Sequence, residues 1–396
     1  MNVTDIISRD QTLFLKDLAS NEKQITSIVK QSRFLVIGGA GSIGQAVTKE
    51  LFKRDPICLH VLDNSENNLV ELVRDIRSSQ GYISGDFQTF ALDIGGIEFD
   101  YFMAEQQPYD YVLNLAALKH VRSENDPYTL MRMLDVNVLN AIKVSKMVSE
   151  MGAKKYFCVS TDKATNPANL MGASKRIMEL ALMQSGAQTP ISFCRFANVA
   201  FSNGSLLHGF KNRIEKRQPI TAPKDVSRFF MTHEEAGILC LFSCLLGRAN
   251  EIFVPKQSKT FELVSMVEVA IRFLSLRGYK AFECGSEREA REMAAKGRKN
   301  NDYWPCFFFK SDTDGEKLYE EFYSDADQVD TSKFGDIEVV KGTNTATNPQ
   351  VSDLVETLMR MRGQLRWNKD EILALFKASL PDFDHIQTGK TLNDRM

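Results

Sequence analysis

Residues 160–175 read STDKATNPANLMGASK and bring together side chains suited to moving protons. Thr161, Asp162 and Lys163 are consecutive: a hydroxyl, an acid and an amine. The acid beside the amine is a plausible proton-handling pair. Lys175 follows Met171 by four residues, so the two share one helix face. A thioether cannot take a proton, so any proton traffic near Met171 must run through its neighbours. Upstream, AALKHV supplies the small residues Ala116 and Ala117, which suit a backbone pressed against a flat cofactor. Lys119 and His120 follow, either in a site or in a surface loop.

A second constellation is VIGGAGSIG, with glycines at 38, 41 and 44. It follows an apolar run and opens a helical one, the context a dinucleotide-binding turn needs. Gly38 permits the tight turn, Gly41 lets a pyrophosphate approach the backbone, and Gly44 lets helix and sheet pack closely. The amides of Ser42, Ile43 and Gly44 would face the anion. Asp63 lies 19 residues past Gly44 (63 − 44), where a carboxylate can bind both adenosine ribose hydroxyls. It would repel a 2′-phosphate, and no arginine adjoins it in LDNSENN, which favours NAD over NADP. Asp93, ending a later apolar run, would lie near the adenine edge. Either acid could instead cap a helix.

These residues need elements to hold them. Apolar runs at 33–39, 57–63, 87–93, 109–117, 154–161 and 191–199 fit buried strands. Helical stretches lie between them; the one in DPYTLMRMLDVNVLNAIKVSKMVSEMG starts near Pro127 and ends near Gly152. Strands apolar on both faces, alternating with helices, predict an α/β fold: a Rossmann-type doubly wound parallel sheet. Asp162 and Lys163 then stand at a strand's carboxyl end, where such sheets bind ligands. The rhythm breaks near residue 200. We divide the chain into a helical arm (1–31, with Leu13, Leu15, Leu18 and Ile25 on one face), an NAD-binding domain (32–200), a smaller mixed α/β substrate-binding region (201–345), and a carboxyl-terminal helix with a polar tail (346–396). The charged run GSEREAREMAAKGRKNN reads as a solvated helix face.

Composition narrows the classes further. The chain has 396 residues, 43% hydrophobic and 25% charged, with net charge −2. That excludes a global basic field for nucleic acid or an anionic membrane. Seven scattered cysteines, an odd number without a CxxC pair, read as free thiols of a reducing compartment, with no metal site. No signal peptide or membrane-spanning run is visible, so the expected address is the cytoplasm.

The motifs AALKHV, STDKATNP, MGASKR, RFANV, SRFFMT and GEKLYEEF occur in order between about residues 33 and 325. Together they resemble the polysaccharide-biosynthesis, CapD-like branch of the extended short-chain dehydrogenase/reductases, whose members are UDP-N-acetylglucosamine 4,6-dehydratases. Many relatives carry a transmembrane amino-terminal region; this chain resembles a form with the catalytic domain alone. The resemblance implies a three-step reaction. NAD oxidises C4 of the sugar, Lys163 removes the C5 proton while Asp162 protonates the departing 6-hydroxyl, and hydride returns to C6. The product implied is UDP-2-acetamido-2,6-dideoxy-α-D-xylo-hexos-4-ulose, destined for a bacterial surface glycan or a nonulosonic-acid-type sugar.

Ordinary relatives place a tyrosine base where Met171 stands. In the C5-retaining dehydratases of this branch methionine is common there, and Thr161 is then placed to handle the 4-hydroxyl proton. Lys175 would hold the nicotinamide ribose. The resemblance also assigns Asn198 and Arg228 to the nucleotide diphosphate, and Ser205 to a glycine-serine loop in which Asn203 stands where arginine is frequent. Glu316 would shape the sugar-nucleotide pocket or cap a helix; Arg228 could instead form a surface salt bridge. The helices over 128–150 and from 171 are where extended relatives pair subunits, implying a homo-oligomer. A C5-inverting dehydratase, a C4 epimerase and a non-catalytic NAD-bound scaffold are the rival readings.

Overall fold

A computed structural model of the chain describes residues 2–296, 302–312, 315, 317, 319–342 and 348–386. The amino-terminal arm forms α1 (Val3–Ile6) and α2 (Leu15–Lys30). Both dock on this same chain: Ile6 and Ile7 enter the smaller of two hydrophobic cores, Ile25 and Val29 the larger. Leu18 also packs inward, and Leu13 is buried just before the helix begins. Leu15, expected on that face, sits in the first turn and is exposed. Arg9 clamps the arm through two bonds to the buried Glu235, at 2.8 and 2.6 Å.

From residue 33 strands and helices alternate as β1 (Arg33–Ile37), α3 (Ser42–Phe52), β2 (Cys58–Asp63), α4 (Glu66–Ser79), β3 (Asp86–Ala91), α5 (Ile97–Glu105), β4 (Tyr111–Asn114), α6 (Pro127–Leu134), α7 (Asn140–Glu150), β5 (Lys155–Thr161), α8 (Leu170–Gln184) and β6 (Ile191–Phe196). Two runs are shorter than their apolar content suggests. The fourth stops at Asn114, whose side chain takes the Ala116 amide at 3.1 Å and turns the backbone out of the sheet. The sixth breaks at Ala197, and the chain continues as β7 (Asn198–Val199), which pairs elsewhere. Between α6 and α7 lies one π turn, Asp135–Leu139. Its Asn137 takes the Leu118 amide and donates to the Leu118 carbonyl and the Ser174 hydroxyl, tying the loop after β4 to α8.

The remainder contributes α9 (Leu206–Glu215), β8 (Ile220–Pro223), β9 (Ser227–Arg228), β10 (Phe230–Met231), α10 (His233–Leu246), β11 (Glu251–Pro255), β12 (Val264–Ser265), α11 (Met266–Ser275), β13 (Lys280–Glu283), α12 (Glu287–Ala295), β14 (Tyr303–Phe309), β15 (Gln328–Asp330), β16 (Ile337–Lys341), α13 (Pro349–Gly363) and α14 (Lys369–Ser379). The main sheet has nine strands in the order β3-β2-β1-β4-β5-β6-β11-β16-β15. Its first seven run parallel; β16 is antiparallel to both its neighbours. This is a doubly wound α/β sheet, and its strand order reverses between β1 and β4, opening a crevice at the carboxyl ends.

The chain beyond residue 200 divides its loyalty. β11, β15 and β16 return to the main sheet and α10 packs on α3. β13, β14 and β8 form a separate parallel sheet over the smaller core. The charged run forms α12, laced by Arg288–Glu292 and Arg291–Glu287 pairs one turn apart. α13 packs on α8 and on the π turn, with Arg362 on Asp135. The indole of Trp367 donates to the Pro127 carbonyl at 2.8 Å. The carboxyl-terminal helices thus cover part of the face expected to pair subunits. Among the described residues, no helix is long and apolar enough to cross a membrane.

Candidate active site

The crevice holds two adjoining cavities that share Gly38 and Gly41. The first, about 260 Å³, is lined by Asp63, Asp93, Ala116 and Ala117 among others. Gly38 has φ +71°, and a Cβ there would lie 2.8 Å from the Ala116 nitrogen. A Cβ on Gly44 would lie 2.1 Å from the Gly38 carbonyl oxygen. Gly41 caps α3, so the Ser42, Ile43 and Gly44 amides open a helix N-terminus. The carboxylate of Asp63 takes the Ala40 amide at 3.1 Å and the Ser65 amide at 2.9 Å, which fixes the glycine loop against the second strand. These features fit a dinucleotide: backbone held close, an anion-binding helix start, and a buried acid at the far end.

Asp93 lines the same cavity but is already engaged. It accepts from Gly95 at 2.9 Å and pairs with Arg132. Burial pushes its carboxyl up, but the Gly95 amide, Arg132 and Lys143 outweigh that and hold it below the usual carboxylate range. Arg132 also reaches Asp135 at 3.1 Å, so two carboxylates bind its guanidinium. Nothing near Asp63 in the sequence singles out Arg132, because α6 delivers it from about 70 residues downstream (132 − 63 = 69).

The second cavity, about 380 Å³, is lined by Thr161, Asp162, Lys163, Met171 and Lys175, and by Lys119, His120, Asn198 and Ser205. The turn after β5 folds the first three into one hydrogen-bonded knot. Asp162 is 2% exposed, and its Oδ1 takes the Thr161 hydroxyl at 2.9 Å, the Lys163 amide at 2.9 Å and the Lys163 Nζ at 3.1 Å. Met171 is buried in the first turn of α8. One turn on, Lys175 donates from Nζ to the Val159 carbonyl at 3.1 Å. Burial pulls the Lys175 amine down. Lys163 goes the other way: burial pulls it down, but the charges of Asp162 and Glu320 prevail and raise it.

Across the cavity, Lys119 donates to the Ser202 hydroxyl at 3.3 Å, and burial lowers its amine. His120 is lowered by burial and by the Lys119 and Arg122 charges; its ring closes over Gly204, where a Cβ would lie 2.5 Å from Cε1. Asn198 donates to the Phe229 carbonyl at 3.4 Å, and Ser205 caps α9 by taking the His208 amide. Arg228 is buried on β9 and is not in this lining; its charge acts on Lys163 and Glu320. Glu316 lies outside the described residues.

Three features of the site have no local signal in the sequence. Glu320 stands with Oε1 at 3.5 Å from the Lys163 Nζ. Arg195, 1% exposed, grips Glu179 of α8 at 2.9 and 2.7 Å and also donates to the Phe322 carbonyl at 2.7 Å. Part of the polar tail returns to the site: His385 reaches Glu124 at 3.0 Å, and the other oxygen of Glu124 takes the Leu170 amide at 2.6 Å at the start of α8.

The polysaccharide biosynthesis protein family matches residues 34–342. An uncharacterized membrane protein of Methanocaldococcus jannaschii is 31% identical over 80% of this chain and 88% of its own length. The capsular polysaccharide biosynthesis protein CapD of Staphylococcus aureus is 31% identical over 81% of this chain and 49% of itself. This chain therefore spans about half the length of that relative. An inverting UDP-N-acetylglucosamine 4,6-dehydratase of Campylobacter jejuni is 30% identical over 56% of this chain and 66% of its own. UDP-glucose 4-epimerase of Rickettsia typhi is 29% identical over 63% and 76%. Among solved structures, Pen from Bacillus thuringiensis superposes with a TM-score of 0.64 at 23% identity, covering 84% of this chain and 98% of its own. The dTDP-glucose 4,6-dehydratase DesIV of Streptomyces venezuelae, solved with NAD bound, gives 0.54 at 17% identity over 73% and 88%. These likenesses in structure agree with the doubly wound sheet.

Proposed function

The chain belongs to the polysaccharide biosynthesis protein family, and from that premise we propose that it is a UDP-N-acetylglucosamine 4,6-dehydratase that retains the C5 configuration. The observation that carries this reading is the Thr161–Asp162–Lys163 knot facing a cavity continuous with the dinucleotide cradle. An epimerase needs one base at C4; a dehydratase also needs a base for C5 and an acid for the leaving hydroxyl. The knot supplies a hydroxyl, an acid and an amine in contact.

The glycine loop and Asp63 would hold NAD, which when bound would supply the oxidant for C4 and the reductant for C6. The chain's own residues manage the protons. Thr161 takes the 4-hydroxyl proton and passes its own to Asp162 along the 2.9 Å hydrogen bond. Asp162, now an acid, protonates the 6-hydroxyl as it leaves as water. Lys163, as the neutral amine, takes the C5 proton and later returns a proton to C5. Asp162 ends as carboxylate and Lys163 as amine, so the cycle closes with loss of one water. The Lys175 ammonium stabilises the C4 oxygen as negative charge builds.

Met171 supports retention over inversion: no phenol stands at its position, and Thr161 takes up the base role. We further propose that the chain works in the cytoplasm as a homo-oligomer. Since α13 covers part of α8, the contact we favour is α5 and the start of α6, where Ile97, Tyr101 and Tyr128 are exposed.

Proton NMR of the protein mixed with UDP-N-acetylglucosamine in D2O, without added cofactor, tests the reading. The expected product is a 6-deoxy-4-keto sugar of gluco-type C5 carrying deuterium at C5. An inverted C5 would overturn the stereochemical assignment, and a galacto epimer the dehydratase itself.

A further inference from the structure

The proton cycle above demands something that the Asp162–Lys163 pair cannot supply alone. Lys163 must start as a neutral amine, yet it sits against two carboxylates, Asp162 at 3.1 Å and Glu320 at 3.5 Å. Asp162 cannot hold the surplus proton, because it must be empty to receive the one arriving from Thr161. Only the second carboxylate is left.

Resting on that dehydratase reading, we infer that Glu320 is the proton-holding partner of Lys163: it takes the ammonium proton before each turnover and so frees the amine to attack the C5 hydrogen. The transfer is balanced. An N–H bond of the ammonium breaks and an O–H bond on Glu320 forms, leaving amine and carboxylic acid in place of an ion pair. No proton enters or leaves the protein. Glu320 touches neither sugar nor cofactor in this scheme and acts only through Lys163, which makes it a positioning residue.

The surroundings suit the role. The Glu320 side chain is 5% exposed, and its Oε2 has no hydrogen-bond partner among the described residues. A buried carboxylate with an oxygen lacking a hydrogen bond is costly, which moves the balance at Glu320 toward the neutral acid. Burial pushes the Glu320 carboxyl up, and the Asp162 charge adds to this; Lys163, Arg228 and Lys317 oppose it without prevailing. Among the described residues, those four charged groups act on it most strongly, from the turn after β5, from β9 and from its own segment. Lys163, at 22% exposure, lines the cavity, whereas Glu320 does not.

The test is the pH dependence of kcat for wild type, Glu320→Gln and Glu320→Asp, assayed as 6-deoxy-4-keto product with UDP-N-acetylglucosamine, with NAD content and thermal melting measured alongside. Internal transfer conserves the proton count, so wild type should show a flat kcat between about pH 6 and 8. Gln cannot accept the proton, so Lys163 must lose it to solvent. Glu320→Gln should therefore fall about a hundredfold at pH 7 and recover roughly tenfold per pH unit as the medium becomes alkaline. KM should stay within about twofold. Glu320→Asp should restore the flat profile at a reduced rate. A Glu320→Gln variant with the wild-type rate and profile would overturn the inference. So would one that loses the same factor at every pH, which marks a packing role. Wild-type protein that leaves the sugar nucleotide unchanged would overturn the dehydratase reading and this inference with it, a result distinct from either variant outcome.

Discussion

The two banks of the crevice are built from different materials. The cofactor bank is largely backbone: three glycines, a helix start and the carboxylate of Asp63 lie within residues 38–63, joined by Ala116 and Ala117 after β4 and by the Asp93–Arg132 pair. Its geometry is enforced by short contacts such as the one awaiting any Cβ on Gly44. The bank we assign to substrate is side chains delivered from far apart: Lys119 and His120 from the loop after β4, Lys163 from the turn after β5 and Ser205 from the start of α9. Glu320, from beyond β14, stands beside Lys163, and His385 of the tail supports α8 through Glu124. A bank made of backbone tolerates little change in the residues that shape it but asks little of the rest of the chain. A bank made of converging side chains depends on whatever holds the distant segments together.

The sharpest way to break this comparison is to remove chemistry without disturbing either bank. Asp162→Asn keeps the shape of the knot but cannot carry the proton, so kcat should fall by about 10³–10⁴ with nucleotide and NAD binding retained. Binding by calorimetry and turnover by NMR check both halves; a variant of undiminished rate would show that the acid lies elsewhere. Next in size is the support beneath the substrate bank. Glu179 and Arg195 form a buried pair, and Arg195 also holds the Phe322 carbonyl, two residues from Glu320. Glu179→Gln leaves that guanidinium buried without its counter-charge and should cost about 3–5 kcal/mol by denaturant unfolding. The cost should depend on pH in one direction. Burial pushes the Glu179 carboxyl up, but Arg195, Arg176 and the Ser160 hydroxyl outweigh it and bring it to about 2. A folded value below the unfolded one means that its stabilisation is present above about pH 4.5 and fades as pH drops toward 2. Wild type and variant should converge over that window.

How much of this was legible in the sequence follows the same division. The glycine triplet, Asp63 and the alternation of apolar runs place the cofactor bank, because each signal is local and tied to backbone geometry. Thr161, Asp162, Lys163, Met171 and Lys175 are close enough in sequence that one turn and one helix bring them to a single cavity. Arg228 is legible as a diphosphate-binding candidate through its motif, but its electrostatic action on Lys163 and Glu320 is not, because β9 brings it there from a distant stretch of chain. Glu320, Arg195 and His385 carry no periodic or motif signal that distinguishes them from other acids, arginines and histidines. The tail read as polar because Asp382 and Asp384 flank Phe383, yet Phe383 is buried and the Ile386 amide bonds to the Ala168 carbonyl at 3.1 Å. Only tertiary pairing could show that. The division after residue 200 blurred for a related reason: β11, β15 and β16 look like any short apolar strands until the sheet claims them.

Smaller effects sharpen the contrast from each side. Gly44→Ala places a methyl group 2.1 Å from the Gly38 carbonyl oxygen, so the loop must shift away from the helix start. NAD affinity should drop about a hundredfold, while folding of the substrate bank is largely spared. Cofactor retained through purification, quantified by absorbance after denaturation, reads this directly. His385→Ala is the mildest. It removes one partner of the buried Glu124, which still receives the Leu170 amide at the start of α8. Losing one buried hydrogen bond should cost about 1–2 kcal/mol. Since α8 carries Met171 and Lys175, kcat should fall several-fold with NAD content unchanged. If NAD content fell and kcat per bound NAD held, the tail would be serving the cofactor bank through α8 instead, and the separation of the two banks would have to be redrawn along that helix.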